Sequence, residues 1–171
     1  MEIPGIQIRP LTAGEWQAYK AIRLKALDSD PKFFGESLEE AKARPDEKWQ
    51  AHLSEPARVV FGVFHNDALI GMTGIVVDQE DPTGATARLW GSWLEPAWRG
   101  KGLARKMYET RINWAKAQPG IRRVTVSHRK SNAVSKRANQ RFGFKFTHAA
   151  ERIWPGNQKE TELFYELAVK P

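Results

Sequence analysis

The stretch "SWLEPAWRGKGLARKMYE", residues 92–109, joins a strand-like run to an amphipathic helix through the turn Arg99-Gly100-Lys101-Gly102. The preceding "TARLWGSWL" (86–94) reads as a strand, and the helix beginning at Leu103 carries Leu103, Met107, Thr110 and Trp114 along one side. A helix N-terminus presents unpaired backbone N–H groups and a partial positive charge. Glycine lets a ligand approach that backbone without an intervening Cβ. The segment is therefore either a plain tight turn or a pyrophosphate cradle. Its spacing fits neither a P-loop nor a dinucleotide fingerprint, because Arg105 stands where the third glycine of the latter belongs.

Alternation and turn chemistry order the rest of the chain. "GIQIRPL" (5–11) reads as a first strand, and Thr12 with Glu15 forms a capping box that starts a helix at Ala13. Its apolar side carries Trp16, Tyr19, Ile22 and Ala26, and it stops near Pro31. "KFFGES" reads as a loop with exposed Phe33 and Phe34, Ser37 and Glu40 cap a further turn, and Pro45 opens a helix that stacks Trp49 on Leu53. "RVVFGVFH" and "ALIGMTGIVV" flank Asn66-Asp67 as a hairpin, with Gly71 and Gly74 hinting at bulges. "RVTVSH" (123–128) is a strand, residues 132–142 a helix ending at Gly143, and "FKFTH" and "TELFYELAV" two last strands around a loop, "ERIWPGNQKE". The pattern predicts one α/β domain over residues 1–171, without repeat or linker.

Hydrophobic residues make up 41% of the chain, enough for a core. No apolar run has the length of a membrane span, and the N-terminus shows no apolar signal core. The absence of cysteine removes disulfides, thiolate metal sites and a thiol nucleophile. A cytoplasmic location is the default expectation, with no membrane partner and no metal. The formal charge of +7 is compatible with a solvated basic surface or with an anionic partner. Basic residues concentrate between 99 and 141, around the turn, so a phosphorylated ligand accounts for them better than nucleic acid does.

"RGKGLA" resembles the Arg/Gln-x-x-Gly-x-Gly/Ala loop of the GCN5-related N-acetyltransferase (GNAT) superfamily, with Arg99, Gly102 and Ala104 at the fixed positions. "NAVSKRANQRFGF" (132–144) resembles a second block of that family through Asn132, Ser135, Arg141, Gly143 and Phe144. The resemblance implies a mixed, mostly antiparallel sheet of about seven strands flanked by helices and splayed between strands 4 and 5. It implies acetyl-CoA as co-substrate, with the pantetheine arm on the backbone of Trp93 and Leu94 and an N–H within Ser92–Leu94 polarising the thioester carbonyl. The pyrophosphate would lie on the N–H groups of Arg99, Gly100, Lys101, Gly102, Leu103 and Ala104. Side chains of Arg99, Lys101 and Arg105 would add charge, and Asn132 and Ser135 would complete the site.

The chain departs from the family where proton transfer is concerned. Ser127 occupies a position often held by a glutamate base, and Asn139 occupies that of the tyrosine acid. His128 and Glu95 are the candidate substitutes, with Asn139 as a positioning residue. Phe33, Phe34 and Trp154 are the candidate acceptor-binding aromatics. The resulting expectation is an acetyl-CoA-dependent N-acetyltransferase acting on the primary amine of a small molecule. The alternatives are a non-catalytic acyl-CoA-binding or regulatory domain and a protein N-acetyltransferase. A homodimer is left open by the sequence.

Overall fold

The computed structural model of the chain describes residues 2–171. Its elements run β1 (Ile6–Pro10), α1 (Trp16–Ser29), α2 (Leu38–Ala43), α3 (Asp46–Ser54), β2 (Arg58–His65), β3 (Ala68–Val77), β4 (Thr86–Leu94), α4 (Leu103–Ala117), β5 (Arg123–Arg129), α5 (Ala133–Arg141), β6 (Lys145–Trp154) and β7 (Gln158–Ala168). The seven strands form one sheet in the order β1-β2-β3-β4-β5-β7-β6. All neighbours are antiparallel except β4 and β5.

The parallel pair is short. It comprises Thr86↔Arg123, Ala87↔Val124 and Arg88↔Thr125, and then the strands part. Each is held by its outer neighbour: β4 stays on β3 as far as Leu94, and β5 stays on β7 as far as Arg129. The sheet thus opens in its middle while its backbone hydrogen bonds remain satisfied on the outer sides. Within the open half β4 carries a bulge, where Gly91 and Ser92 oppose Thr73 and Gly91 adopts φ +66°. A left-handed residue of this kind bends the strand and frees its backbone from the ladder.

Helices cover both faces. Tyr19, Ile22, Ala41 and Trp49 of α1–α3 pack with Met72 and Trp93 on one side. On the other, Ile112 and Ala115 of α4 pack with Ile75, Leu89, Val124, Phe144 and Tyr165. The cap chemistry is as the sequence predicts. The Glu15 carboxylate accepts the Thr12 N–H at 2.8 Å, while Ser37 and Glu40 exchange bonds of 2.7 and 3.1 Å. The first turn, Ala13–Glu15, is a 3-10 helix that leads into α1. No helix among the described residues is long and apolar enough to cross a membrane.

Two sequence expectations are corrected. "ERIWPGNQKE" is not a loop: β6 continues to Trp154 and turns through left-handed Gly156 and Asn157 straight into β7. β6 starts where "FKFTH" predicts a strand, but it is an edge strand exposed along nearly its whole length, so no apolar alternation marks its second half. The buried side of α4 holds Leu103, Met107, Arg111, Ile112 and Ala115, with Thr110 and Trp114 only half-buried beside it.

Candidate active site

The parting of β4 and β5 leaves a cleft of about 360 Å³ that passes between the two faces of the sheet. Phe33, Phe34 and Trp90 wall it on the α1 side, and Met107, Tyr108 and Arg111 of α4 wall it on the other. Gly91, Ser92, Trp93 and Leu94 form one edge, Val126, Ser127 and His128 the facing edge, and Asn132, Ser135 and Asn139 of α5 close it. Beyond Arg88 the β4 backbone groups that face β5 have no strand to bond, so they are available to an extended ligand.

The mouth of the cleft meets the start of α4, where Arg99 and Ala104 line it. Gly100 and Gly102 adopt φ +74° and +82°, and a Cβ built on either would meet nothing within 4 Å. No group among the described residues accepts the N–H of Gly100, Lys101 or Gly102. Open space, unpartnered donors and the positive end of a 15-residue helix therefore coincide. Leu103 itself packs inward on Val63, Ile70 and Leu94, which fixes the direction of the helix.

Of the expected cations at the turn, Arg99 is tied into the protein. Arg99 donates to the Leu94 carbonyl at 2.9 Å and to Asp30 at 2.6 Å. Burial alone would raise the Asp30 carboxyl, but hydrogen bonds from Arg99 and Trp93 outweigh it and hold the group below its usual range. Lys101 lies 5.3 Å over the Trp98 ring, and Arg105 faces Glu109 at 3.8 Å. Arg99 is held by its two bonds, whereas Lys101 and Arg105 stay exposed, so backbone donors and two exposed cations together make the anion-attracting surface at this turn.

Asn132 caps α5, its Oδ1 accepting the Ser135 N–H at 3.1 Å while the side chain lines the cleft. Asn139 is fully buried, and its Oδ1 accepts the Tyr108 hydroxyl at 2.6 Å. His128 reaches the cleft wall with both ring nitrogens occupied, Nδ1 at 2.6 Å from the Arg129 carbonyl and Nε2 at 3.1 Å from the Tyr165 hydroxyl. Proton transfer to a ligand would require one of these bonds to break.

Two expected site residues, Glu95 and Trp154, lie away from the cleft. Glu95 is ion-paired with Lys25 of α1 and does not line the cleft. Trp154 is buried between the guanidinium groups of Arg129 and Arg152, each 4.4 Å from its ring, because β6 carries it into the sheet. Phe34 is buried in the α1–α3 core, whereas Phe33 is 47% exposed; both still border the cleft. The sequence reading passed over Tyr108 and Arg111 of α4, whose helical positions looked polar or marginal. It also passed over Glu162 of β7, a buried carboxylate that accepts the Ser127 hydroxyl at 2.5 Å and pairs with Arg152 at 3.1 Å.

A seven-stranded sheet opened between two parallel central strands, with a bare helix N-terminus at the opening, is the framework of an acyltransferase. The family model described as "Acetyltransferase (GNAT) family" matches residues 22–144, and the chain belongs to that family. Among solved structures, a GNAT-family acetyltransferase from Streptococcus pneumoniae aligns over 95% of this chain and 98% of its own, with 18% identity and a TM-score of 0.81. yncA, a putative acetyltransferase from Salmonella typhimurium solved with acetyl-CoA, aligns over 97% and 95%, with 18% identity and a TM-score of 0.79. RimL, a ribosomal L7/L12 α-N-protein acetyltransferase in complex with coenzyme A, aligns over 97% and 95%, with 14% identity and a TM-score of 0.76. A search of curated proteins finds no match.

Proposed function

We propose that the chain is an acetyl-CoA-dependent N-acetyltransferase that acetylates the primary amine of a small molecule by direct attack on the thioester. The observation that carries this reading is the junction of the β4–β5 cleft with the unpartnered N–H groups of Gly100, Lys101 and Gly102. These donors, with the N-terminus of α4, suit a pyrophosphate. The freed β4 backbone suits a pantetheine arm, which is itself an extended diamide. The bound acetyl-CoA in yncA and the coenzyme A in RimL support the same ligand class.

Acetyl-CoA supplies an activated acyl group. Gly91–Leu94 edge the cleft, and at the bulge Gly91 and Ser92 interrupt the β3 ladder; backbone N–H donors fixed along this edge would stabilise negative charge developing on a carbonyl lying in the cleft. The walls align the amine with the thioester, and alignment alone supplies much of the acceleration such a transfer needs. Asn139 holds no proton to release, so it positions. The attacking amine can give its proton to water or to the departing thiolate. Ser127, bonded to the buried Glu162, is a further route for that proton.

RimL is described as acting on a protein α-amine. For this chain the aromatic walls of Phe33, Phe34 and Trp90 favour a small acceptor. Incubating the protein with acetyl-CoA and separate panels of small amines and peptides, then measuring free thiol and acetylated product, tests the reading. Thiol release dependent on a small amine is the expected result. Release only with peptides would transfer the assignment to a protein acceptor.

A further inference from the structure

The buried arginines among the described residues are Arg23, Arg111 and Arg129. Two of them meet carboxylates, Arg23 at 3.1 Å from Glu36 and Arg129 at 3.9 Å from Glu160. Arg111 is 2% exposed and has no carboxylate within 4 Å among the described residues. Its Nε–H donates to the Met107 carbonyl at 3.1 Å, and its guanidinium lies 4.9 Å over the Tyr108 ring. With Nε committed to the helix backbone, the terminal fork of the guanidinium makes no bond to the protein, and the side chain lines the cleft. Burial draws Arg111 down to about 10, which leaves it charged at neutral pH.

A buried cation without a carboxylate is costly, and one bond to a helix carbonyl and one ring contact replace little of the hydration its charge gives up. A second donor stands beside it without an acceptor. Asn139 Nδ2 is buried and unbonded, while the Oδ1 of the same amide accepts the Tyr108 hydroxyl at 2.6 Å. Tyr108 thus touches both groups and sets them against one wall of the cleft. Arg111 follows Leu103 by two turns, so it lies about 12 Å further along the axis at the 1.5 Å rise of a helix. Its Nε bond to Met107 draws the guanidinium back about one turn, to roughly 6 Å beyond Leu103 along the axis, where it lines the cleft inward of the first turn and serves whatever occupies that part.

We propose that Arg111 and Asn139 Nδ2 form a subsite for a carboxylate at the inner wall of the cleft. The carboxylate is carried either by the amine acceptor or by the acyl group. A guanidinium fork matches the two oxygens of a carboxylate, and the amide supplies a third donor. This inference rests on the acyl-CoA reading above.

Two matched pairs of probes separate the sources. Leucine and isoamylamine differ in a carboxylate on the acceptor, and succinyl-CoA and acetyl-CoA differ in one on the acyl group. Calorimetric Kd values are measured for the amines on CoA-saturated protein and for the two acyl-CoAs on free protein. The wild type is expected to favour the carboxylate-bearing member of one pair by about ten- to a hundredfold, the scale of hydrogen bonds to a charged group. Arg111→Met, and independently Arg111→Gln, should reduce that preference to within about threefold of unity. Arg111→Met should also raise the Tm of the ligand-free protein, because an unmatched buried charge is removed; an arginine retained only for packing would lower it.

A wild type without preference in either pair, or a preference that survives both substitutions, overturns the subsite. A wild type that does not bind acetyl-CoA at all overturns the cofactor reading and the subsite together, whereas binding without preference overturns the subsite alone.

Discussion

Replacing Gly102 by aspartate puts a carboxylate into the space beside the first turn of α4. A Cβ there meets nothing within 4 Å, so no clash with the protein arises. The backbone is left-handed at φ +82°, and a non-glycine residue in that region costs about 1–2 kcal/mol. In a chain of this length that lowers Tm by about 2–8 °C and leaves the fold standing. The effect on binding is larger. A carboxylate about 4 Å from a phosphate charge, at an effective dielectric constant of about 20, costs about 4 kcal/mol. At about 1.4 kcal/mol per factor of ten, coenzyme A should bind roughly a hundred- to a thousandfold more weakly. Gly102→Ala shares the backbone strain without the charge and should lose at most about tenfold. Calorimetric titration of both variants with coenzyme A, at two salt concentrations, reads the difference. Added salt should narrow the gap between Asp and Ala. A Gly102→Asp protein that binds within threefold of wild type would refute the placement of the pyrophosphate.

Phe33→Ala should raise the acceptor KM more than the acetyl-CoA KM in steady-state kinetics, because the ring borders the cleft and is half exposed. Trp154→Ala should instead lower stability by about 3–5 kcal/mol in urea unfolding, since the indole is buried between two arginines. Asn139→Ala should cost about 1–3 kcal/mol, because the buried Tyr108 hydroxyl loses its acceptor, and should lower kcat by less than a thousandfold. For His128→Ala the expected signature is a Tm loss that accompanies any fall in kcat, as both ring nitrogens hold neighbours; a fall of about 10²–10⁴ in kcat at unchanged Tm would assign proton transfer to it. His52 is drawn down to about 4 by burial and then by Arg58 and Arg44. Its neutral ring is favoured in the folded chain, so the unfolded chain binds the extra proton and stability falls as pH drops from 6.5 to 4. His52→Gln should flatten that slope in unfolding curves taken across the window.

Much of the fold was legible because local chemistry and burial pattern agreed. The hairpin at Asn66-Asp67, β4 at residues 86–94 and the cap residues Thr12, Glu15, Ser37 and Glu40 all signalled through short-range rules, and the structure places them as read. The register shifts of β3 fall beside Gly71 and Gly74, as the glycines hinted. The Gly100–Gly102 turn was legible for the same reason, since its conformation is written in the residues that adopt it. What failed depended on distant partners. The start of β6 was read from "FKFTH", but its continuation through Glu151–Trp154 is exposed up to Trp154, so hydrophobic alternation could not report it. Trp154 looked like a free aromatic because Arg129 and Arg152, which enclose it, come from β5 and from its own strand. The engagement of Arg99 by Asp30 and of Glu95 by Lys25 joins residues far apart in the chain. Arg111 reads as a solvated helical charge in any periodicity argument, and only its packing against Tyr108 and the cleft reveals it as buried.

The central claim is that the cleft between β4 and β5 holds acetyl-CoA and delivers its acetyl group to an amine. Mixing the protein with acetyl-CoA carrying a ¹³C-labelled acetyl group, with and without an amine panel, and following label and thiol together tests it directly. The account predicts free thiol released in step with ¹³C-acetylated amine, and loss of both in Gly102→Asp. Thiol release without acetylated product, or the absence of any acetyl-CoA binding, would contradict it.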